Sequence, residues 1–293
     1  MFSLLASHHA SPPHTDVRTI SRSGSIDDPS GAAAVASARS LRAALRFKYP
    51  EIDRLYSDRY IESVIAVPGR AFDYARDEKI GKALKWRRSY RVDALRMAFR
   101  CDENSSGTFV LSSATNSSKD VNEGSDRKEE RPHVPSPNLV DVCLTGAFRV
   151  EDSDGDGRLI LRASPALMNW WKFGVDAGIQ YHILVIEHAL EMILYRNSQG
   201  AATQESMVLY VDMTNSSLIP PPISALIGMA NLLQRAYPDR FHRIYFGPVN
   251  SLLRRSYGII SPMLRPRSRD KIVMLKCPPS SNAVAMTEKE WKL

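Results

Sequence analysis

The residues best equipped for chemistry are few, and most of them fail on spacing. His182, Glu187 and His188 come nearest to a metal set, but the chain has no His-Glu-x-x-His run. A five-residue gap sets His182 and Glu187 on opposed faces of a helix. Core packing or a place on a helix surface is expected for them. Asp152-Ser-Asp-Gly-Asp-Gly157 begins like a calcium loop, with alternate carboxylates. Its twelfth position, which should be a bidentate Glu, is Ala163, so a polar β-hairpin turn is the better account. There is no Gly-x-Ser-x-Gly, no Ser, His and Asp in an informative triad order, and no glycine run to cradle a phosphate. An enzyme is therefore not expected, and neither is a metal or nucleotide cofactor. Charge remains. Arg254, Arg255, Arg265, Arg267 and Arg269 flank an apolar segment of Leu252, Leu253, Tyr257, Ile259, Ile260, Met263 and Leu264. A helix rimmed in this way can rest at a bilayer interface, where each basic residue near anionic lipid is worth about 1 kcal/mol. It can equally pack on a core and leave a solvated arginine edge. No aromatic-rich motif accompanies the arginines, so nucleic acid is not an expected partner.

The elements that must position these residues are legible from Met207 to Leu275. Met207–Asp212 reads as a strand. Ile223 to about Ala236 reads as a helix, with Ile223, Leu226, Ile227, Ala230 and Leu233 at helical spacing. Tyr237-Pro-Asp-Arg240 breaks it, because proline cannot continue a helix. A strand Arg243–Phe246, a turn Gly247–Asn250, an amphipathic segment Ser251–Leu264 and a strand Lys271–Leu275 follow. Continuous apolar runs separated by helices predict an α/β fold with a mainly parallel sheet. Upstream, Leu139–Leu144 reads as a short helix, and Ala147–Val150 and Gly157–Arg162 as a strand hairpin. Trp170-Trp171 leads into a helix from about Gly178 to Tyr195, with Tyr181, Leu184, Val185, His188, Ala189 and Met192 on one side.

The 293 residues can bury a sizeable core, and a net charge of +7 favours anionic partners. Residues 1–35 read as a disordered leader and 36–101 as a helical domain, with helices over Ala36–Phe47, over Ile52–Val67, and through Lys79, Leu84, Trp86 and Tyr90. Core packing is expected for Phe72, Trp86 and Tyr90, and a helix cap for Asp73. The stretch 102–137 is rich in Ser, Asn, Asp, Glu and Lys and reads as a disordered insertion, because it cannot bury enough apolar area to offset its ordering. Residues 138–278 form the main domain and 279–293 a tail. Three scattered cysteines, Cys101, Cys143 and Cys277, suggest a reducing compartment without a disulfide framework. With no apolar run long enough to span a bilayer, a cytoplasmic location is expected, with peripheral contact at membranes.

Tyr237-Pro-Asp-Arg-Phe-His-Arg-Ile-Tyr, an apolar helix, then Pro262-Met-Leu-Arg-Pro-Arg-Ser-Arg-Asp-Lys-Ile-Val273 closely resembles the second half of the CRAL-TRIO lipid-binding domain. Arg70, Phe72, Asp73, Trp86 and Arg87 resemble the small helical domain that precedes it, with Ala71 where that family has a lysine. The resemblance implies a helical domain followed by a mainly parallel sheet flanked by helices, with a lipid cavity. Its gate helix would carry Leu252, Leu253, Arg254, Arg255, Tyr257, Ile260 and Leu264. In the phosphatidylinositol-transfer branch the head group is held by residues whose counterparts here are Arg70, Asp239, Ser268 and Lys271. The counterparts of the choline-lipid site, Leu161, Met207 and Leu209, do not support that ligand. The turn Pro248-Val-Asn250 departs from the family's Asn-x-Pro, the double arginine makes the gate less apolar, and the closing Leu-Pro-x-x-x-Gly-Gly is missing.

The resemblance thus implies a monomer that binds a phospholipid, phosphatidylinositol or a phosphoinositide, and exchanges it at an anionic membrane surface. The bound lipid is a ligand, not a cofactor. Two alternatives stand beside this: a carrier of another hydrophobic ligand of retinoid or tocopherol type, and a lipid-sensing adaptor that presents its lipid to a kinase.

Overall fold

The computed structural model describes residues 29–65, 74–98, 135–200, 204–216, 219–264 and 266–280. Expectations that fall on other residues, among them those for Arg70, Phe72, Asp73 and most of the leader, insertion and tail, lie outside the described residues. The N-terminal part is helical: α1 (Pro29–Lys48), α2 (Ile52–Leu55), α3 (Asp58–Ile65), α4 (Tyr74–Ser89) and α5 (Val92–Ala98). The first helix starts at Pro29 rather than Ala36, and proline is well suited to an opening turn, where its missing N–H costs nothing. The expected helix from Ile52 is split at Tyr56-Ser57, where the Ser57 hydroxyl accepts from the Tyr60 amide at 3.0 Å and starts α3 afresh.

The main part runs α6 (Leu139–Leu144), β1 (Phe148–Ser153), β2 (Leu159–Ala163), α7 (Trp170–Phe173), α8 (Val175–Ser198), β3 (Met207–Asp212), α9 (Ile223–Asn231), β4 (Phe241–Gly247), α10 (Ser251–Ile260), α11 (Pro266–Arg269) and β5 (Ile272–Met274). The five strands lie in the order β1-β2-β3-β4-β5. The β1–β2 pair is antiparallel and the other three pairs are parallel, as the apolar runs and intervening helices require. The turn between β1 and β2 is the expected polar hairpin. Asp154 Oδ1 accepts from the amides of Asp156 and Arg158, and the Arg158 guanidinium pairs with both Asp154 and Asp156.

Strand alternation divides the side chains between two cores. Met207, Leu209 and Val211 face the large core beneath the helices, while Val208 and Tyr210 join Ile160, Tyr245 and Leu275 on the other face. Helix α8 differs from the one-sided helix expected. Every residue from Ala177 to Glu187 is buried, because α8 touches β1 and β2 and also α5, α6, α7 and α9. Its buried polar residues find partners inside the protein through at least one atom each. Gln180 accepts from the Ser136 amide at 2.8 Å, His182 bonds the Gly178 carbonyl, and Glu187 meets Arg87. The helix after β3 also ends differently: Leu232–Ala236 forms a π turn, not a continued α-helix, before Pro238 breaks the chain.

Candidate functional site

The Tyr237-Pro238-Asp239-Arg240 corner is where the helical part grips the sheet. Arg240 is 2% exposed; its guanidinium donates to the Leu55 carbonyl at 2.9 Å and to the Glu205 carbonyl at 3.1 Å, and it stacks 3.6 Å from the centre of the Tyr60 ring. The Tyr60 hydroxyl donates to the Pro238 carbonyl. On the other side of the corner, the Tyr237 hydroxyl donates to Glu187 Oε1 at 2.7 Å. Burial, with the Glu187 charge beside it, pushes the Tyr237 phenol well above its ordinary pKa, so it stays a donor. Between these two anchors Asp239 takes φ +56°, a left-handed conformation that Asp tolerates better than most residues.

That conformation brings Asp239 to Lys271. Lys271 Nζ donates to Asp239 Oδ1 at 3.0 Å and to the Phe241 carbonyl at 2.8 Å. A second ammonium, Lys79 on α4, stands 3.8 Å from Asp239 Oδ2. Among the described residues two ammonium groups flank this carboxylate, and Ser268 lines the same cavity. The structure thus brings together Asp239, Ser268 and Lys271 from the sequence-derived set, while Arg70 lies outside the described residues. Lys79 was missed as a site residue. Nothing in its neighbourhood in sequence marks it out; its role comes from α4 crossing the π turn next to the corner.

These four residues close one end of an apolar cavity of about 300 Å³. Leu209, Val211, Ile244 and Phe246 form its floor on the sheet, and Leu226, Met229, Leu253 and Tyr257 its roof on α9 and α10. The opposite end is Phe148, Trp170 and His182. The expected gate segment forms much of the roof. Leu253 and Leu264 are buried and Tyr257 half-buried, all three lining the cavity, while Arg254 and Arg255 are exposed. The side chains of Leu252 and Ile260 lie outside the described residues. Asn250 caps α10 by accepting from the Leu253 amide at 2.8 Å, which gives a local reason for Asn at this turn. Of the choline-site counterparts, Leu161 and Met207 are buried in the core and Leu209 is part of the floor.

The tryptophan pair is divided between inside and outside. Asn169 caps the single turn α7 by accepting from the Lys172 amide at 2.9 Å. Trp170 then points into the cavity and Trp171 is 68% exposed. Only glycine at position 178 lets the Trp170 ring lie against α8, since a Cβ there would strike the indole.

Chemically, this is a container with one polar end. Among the described residues no group of three or more His, Cys, Asp or Glu could hold a metal, and no helix is long and apolar enough to cross a membrane. Cys143 and Cys277 form no disulfide. No curated protein matches the sequence. A crystal structure of Sfh5 is similar in fold, with a TM-score of 0.54 at 14% identity, covering 86% of this chain and 82% of that one. Residues 145–281 match the family model of the CRAL/TRIO domain. An α/β sheet in this order, an apolar cavity roofed by the segment after β4 and this family match agree, and residues 145–281 carry a CRAL/TRIO domain.

Proposed function

We propose that the protein binds one phospholipid, phosphatidylinositol or a phosphoinositide, in this cavity and exchanges it between membranes. A CRAL/TRIO domain supports the binding of a lipid or other small hydrophobic ligand; the finer reading rests on the cluster of Lys79, Asp239, Ser268 and Lys271 at one end of an otherwise apolar cavity. A phosphate displaces Asp239 as partner of the two ammonium groups, or bridges them beside it, with charge-assisted hydrogen bonds. Ser268 offers a hydroxyl, and Asp239 accepts from inositol hydroxyls. Arg70 belongs to the same set by its place in the sequence pattern.

Exchange follows from energetics. A lipid leaving a bilayer unaided exposes its chains at about 0.8 kcal/mol per methylene, and an apolar cavity removes most of that cost. At about 300 Å³ the cavity is at the small end for ligand sites, so admitting two chains requires the roof to lift at α10. Membrane contact is supported by an apolar surface beside the roof. Leu167, Trp171, Ile219 and Ile223 are each more than half exposed, and Trp171 Nε1 donates to the Pro220 carbonyl at 3.3 Å, joining the two segments that carry them. Between Met213 and Arg269 the chain has eight arginines and one acid, the inward Asp239, which suits an anionic bilayer.

Transfer of a fluorescent phosphatidylinositol between donor and acceptor vesicles tests the reading. Wild-type protein should accelerate transfer and Lys271→Ala should not. Tight binding without transfer supports the lipid-presenting adaptor instead.

A further inference from the structure

The end of the cavity farthest from the lysines holds a polar group that the head-group reading does not use. His182 is 6% exposed and lines the cavity. Its ring stacks on Phe148, with centres 4.5 Å apart and planes 25° apart, and on Trp170 at 5.7 Å and 13°. Two stacking partners fix the plane of the imidazole. Nδ1 lies 2.7 Å from the Gly178 carbonyl, and a carbonyl can only accept, so Nδ1 carries the proton. Burial pushes the imidazole down to about 4, so the ring is neutral at ordinary pH. Nε2 is then a lone-pair acceptor on the opposite edge of the ring, and among the described residues no donor reaches it. An acceptor open to an apolar chamber gains a hydrogen bond when a ligand brings the donor.

We propose that His182 Nε2 is a second ligand-recognition point, accepting a hydrogen bond from a hydroxyl on the buried, apolar part of the ligand. Neighbouring strands lie about 4.8 Å apart, so β1, beside His182, and β5, beside Lys271, are separated by roughly 19 Å across the sheet. The two ends therefore read different parts of one ligand, or let the cavity accept a neutral hydroxylated ligand that never touches the lysines. This inference rests on the cavity being the lipid site but not on a phosphate being bound.

Decyl alcohol and its methyl ether, competed separately against parinaric acid, provide the test. They share a chain, and the ether carries a methyl group in place of the hydroxyl proton. Wild-type protein should prefer the alcohol by roughly five- to tenfold, the worth of one buried hydrogen bond. His182→Phe should lose that preference while still binding the ether. In ¹⁵N-histidine-labelled wild-type protein, the unprotonated His182 nitrogen should shift with the alcohol and not with the ether, a readout that needs no variant to fold. Equal binding of the two ligands by wild type, as a trapped water on Nε2 would give, overturns the proposal. A preference that survives His182→Phe overturns it as well. Loss of inositol-lipid binding in Lys271→Ala with the alcohol preference intact separates the two ends. If wild-type protein binds no inositol lipid but keeps the preference, the head-group reading fails and this one stands.

Discussion

The Arg87 guanidinium and the Glu187 carboxylate form a two-point ion pair between α4 and α8, with Nη2 to Oε2 at 2.8 Å and both side chains almost wholly buried. Asp93 accepts from the same guanidinium at 2.7 Å, and the Tyr237 hydroxyl completes Glu187. This network joins the helical part, the central helix and the corner that presents Asp239. Removing Arg87 leaves the buried Glu187 with only the Tyr237 hydroxyl and the more distant Arg96 guanidinium, 3.6 Å from Oε2. Arg87→Ala should therefore cost about 3–5 kcal/mol in urea unfolding, whereas the paired change Arg87→Met with Glu187→Leu should cost clearly less. Equal losses for the single and paired variants would show that the pair does not act as a unit.

At the polar end of the cavity, Lys79→Ala and Lys271→Ala should each weaken inositol-lipid binding by about tenfold or more and barely change the melting temperature. Lys79 is the more telling of the two, because only its position in space, 3.8 Å from Asp239, assigns it to the site. Isothermal titration with a short-chain inositol phospholipid reads both.

Much of the fold was legible because apolar runs and breakers are local signals. The strand Met207–Asp212, the helix start at Ile223 and the turn before Ser251 need only neighbouring residues to be read. What escaped depends on elements distant in sequence. Helix α8 looked one-sided, yet α5, α6 and α9 cover its other faces, so Gln180, His182 and Glu187 became interior groups. Lys79 and the Arg240 clamp have meaning only once α3 and α4 meet the corner. Asp239 and Lys271 could be paired beforehand through the resemblance alone, since they are 32 positions apart with a strand and two helices between them.

Acid should destabilise the protein partly through His182. Its folded pKa of about 4 lies below the ordinary histidine value of about 6.5. Above that ordinary value both states are neutral and the group contributes nothing. As the pH falls from 6.5 toward 4 the unfolded chain takes up a proton that the native site refuses, and stability drops by about 3 kcal/mol. Burial also holds His188 and His242 down, so His182→Phe should flatten part of the slope in a pH series of urea melts. An unchanged slope contradicts the buried neutral ring.

If the protein exchanges lipid as proposed, the exposed apolar surface is where it would meet a bilayer. Trp171→Ser combined with Ile223→Ser should reduce co-sedimentation with anionic vesicles by about tenfold, because both side chains are solvent-exposed in the free protein and would be buried at an interface. The bound lipid should be unaffected. If sedimentation holds and the wild type proves dimeric by light scattering, the surface joins two copies instead.

Native mass spectrometry of protein purified from a eukaryotic cell, followed by identification of the released lipid, tests the central claim most directly. One inositol phospholipid per chain in wild type, absent from Lys271→Ala, is the predicted result. An empty cavity, or a neutral lipid retained equally by both proteins, would contradict it.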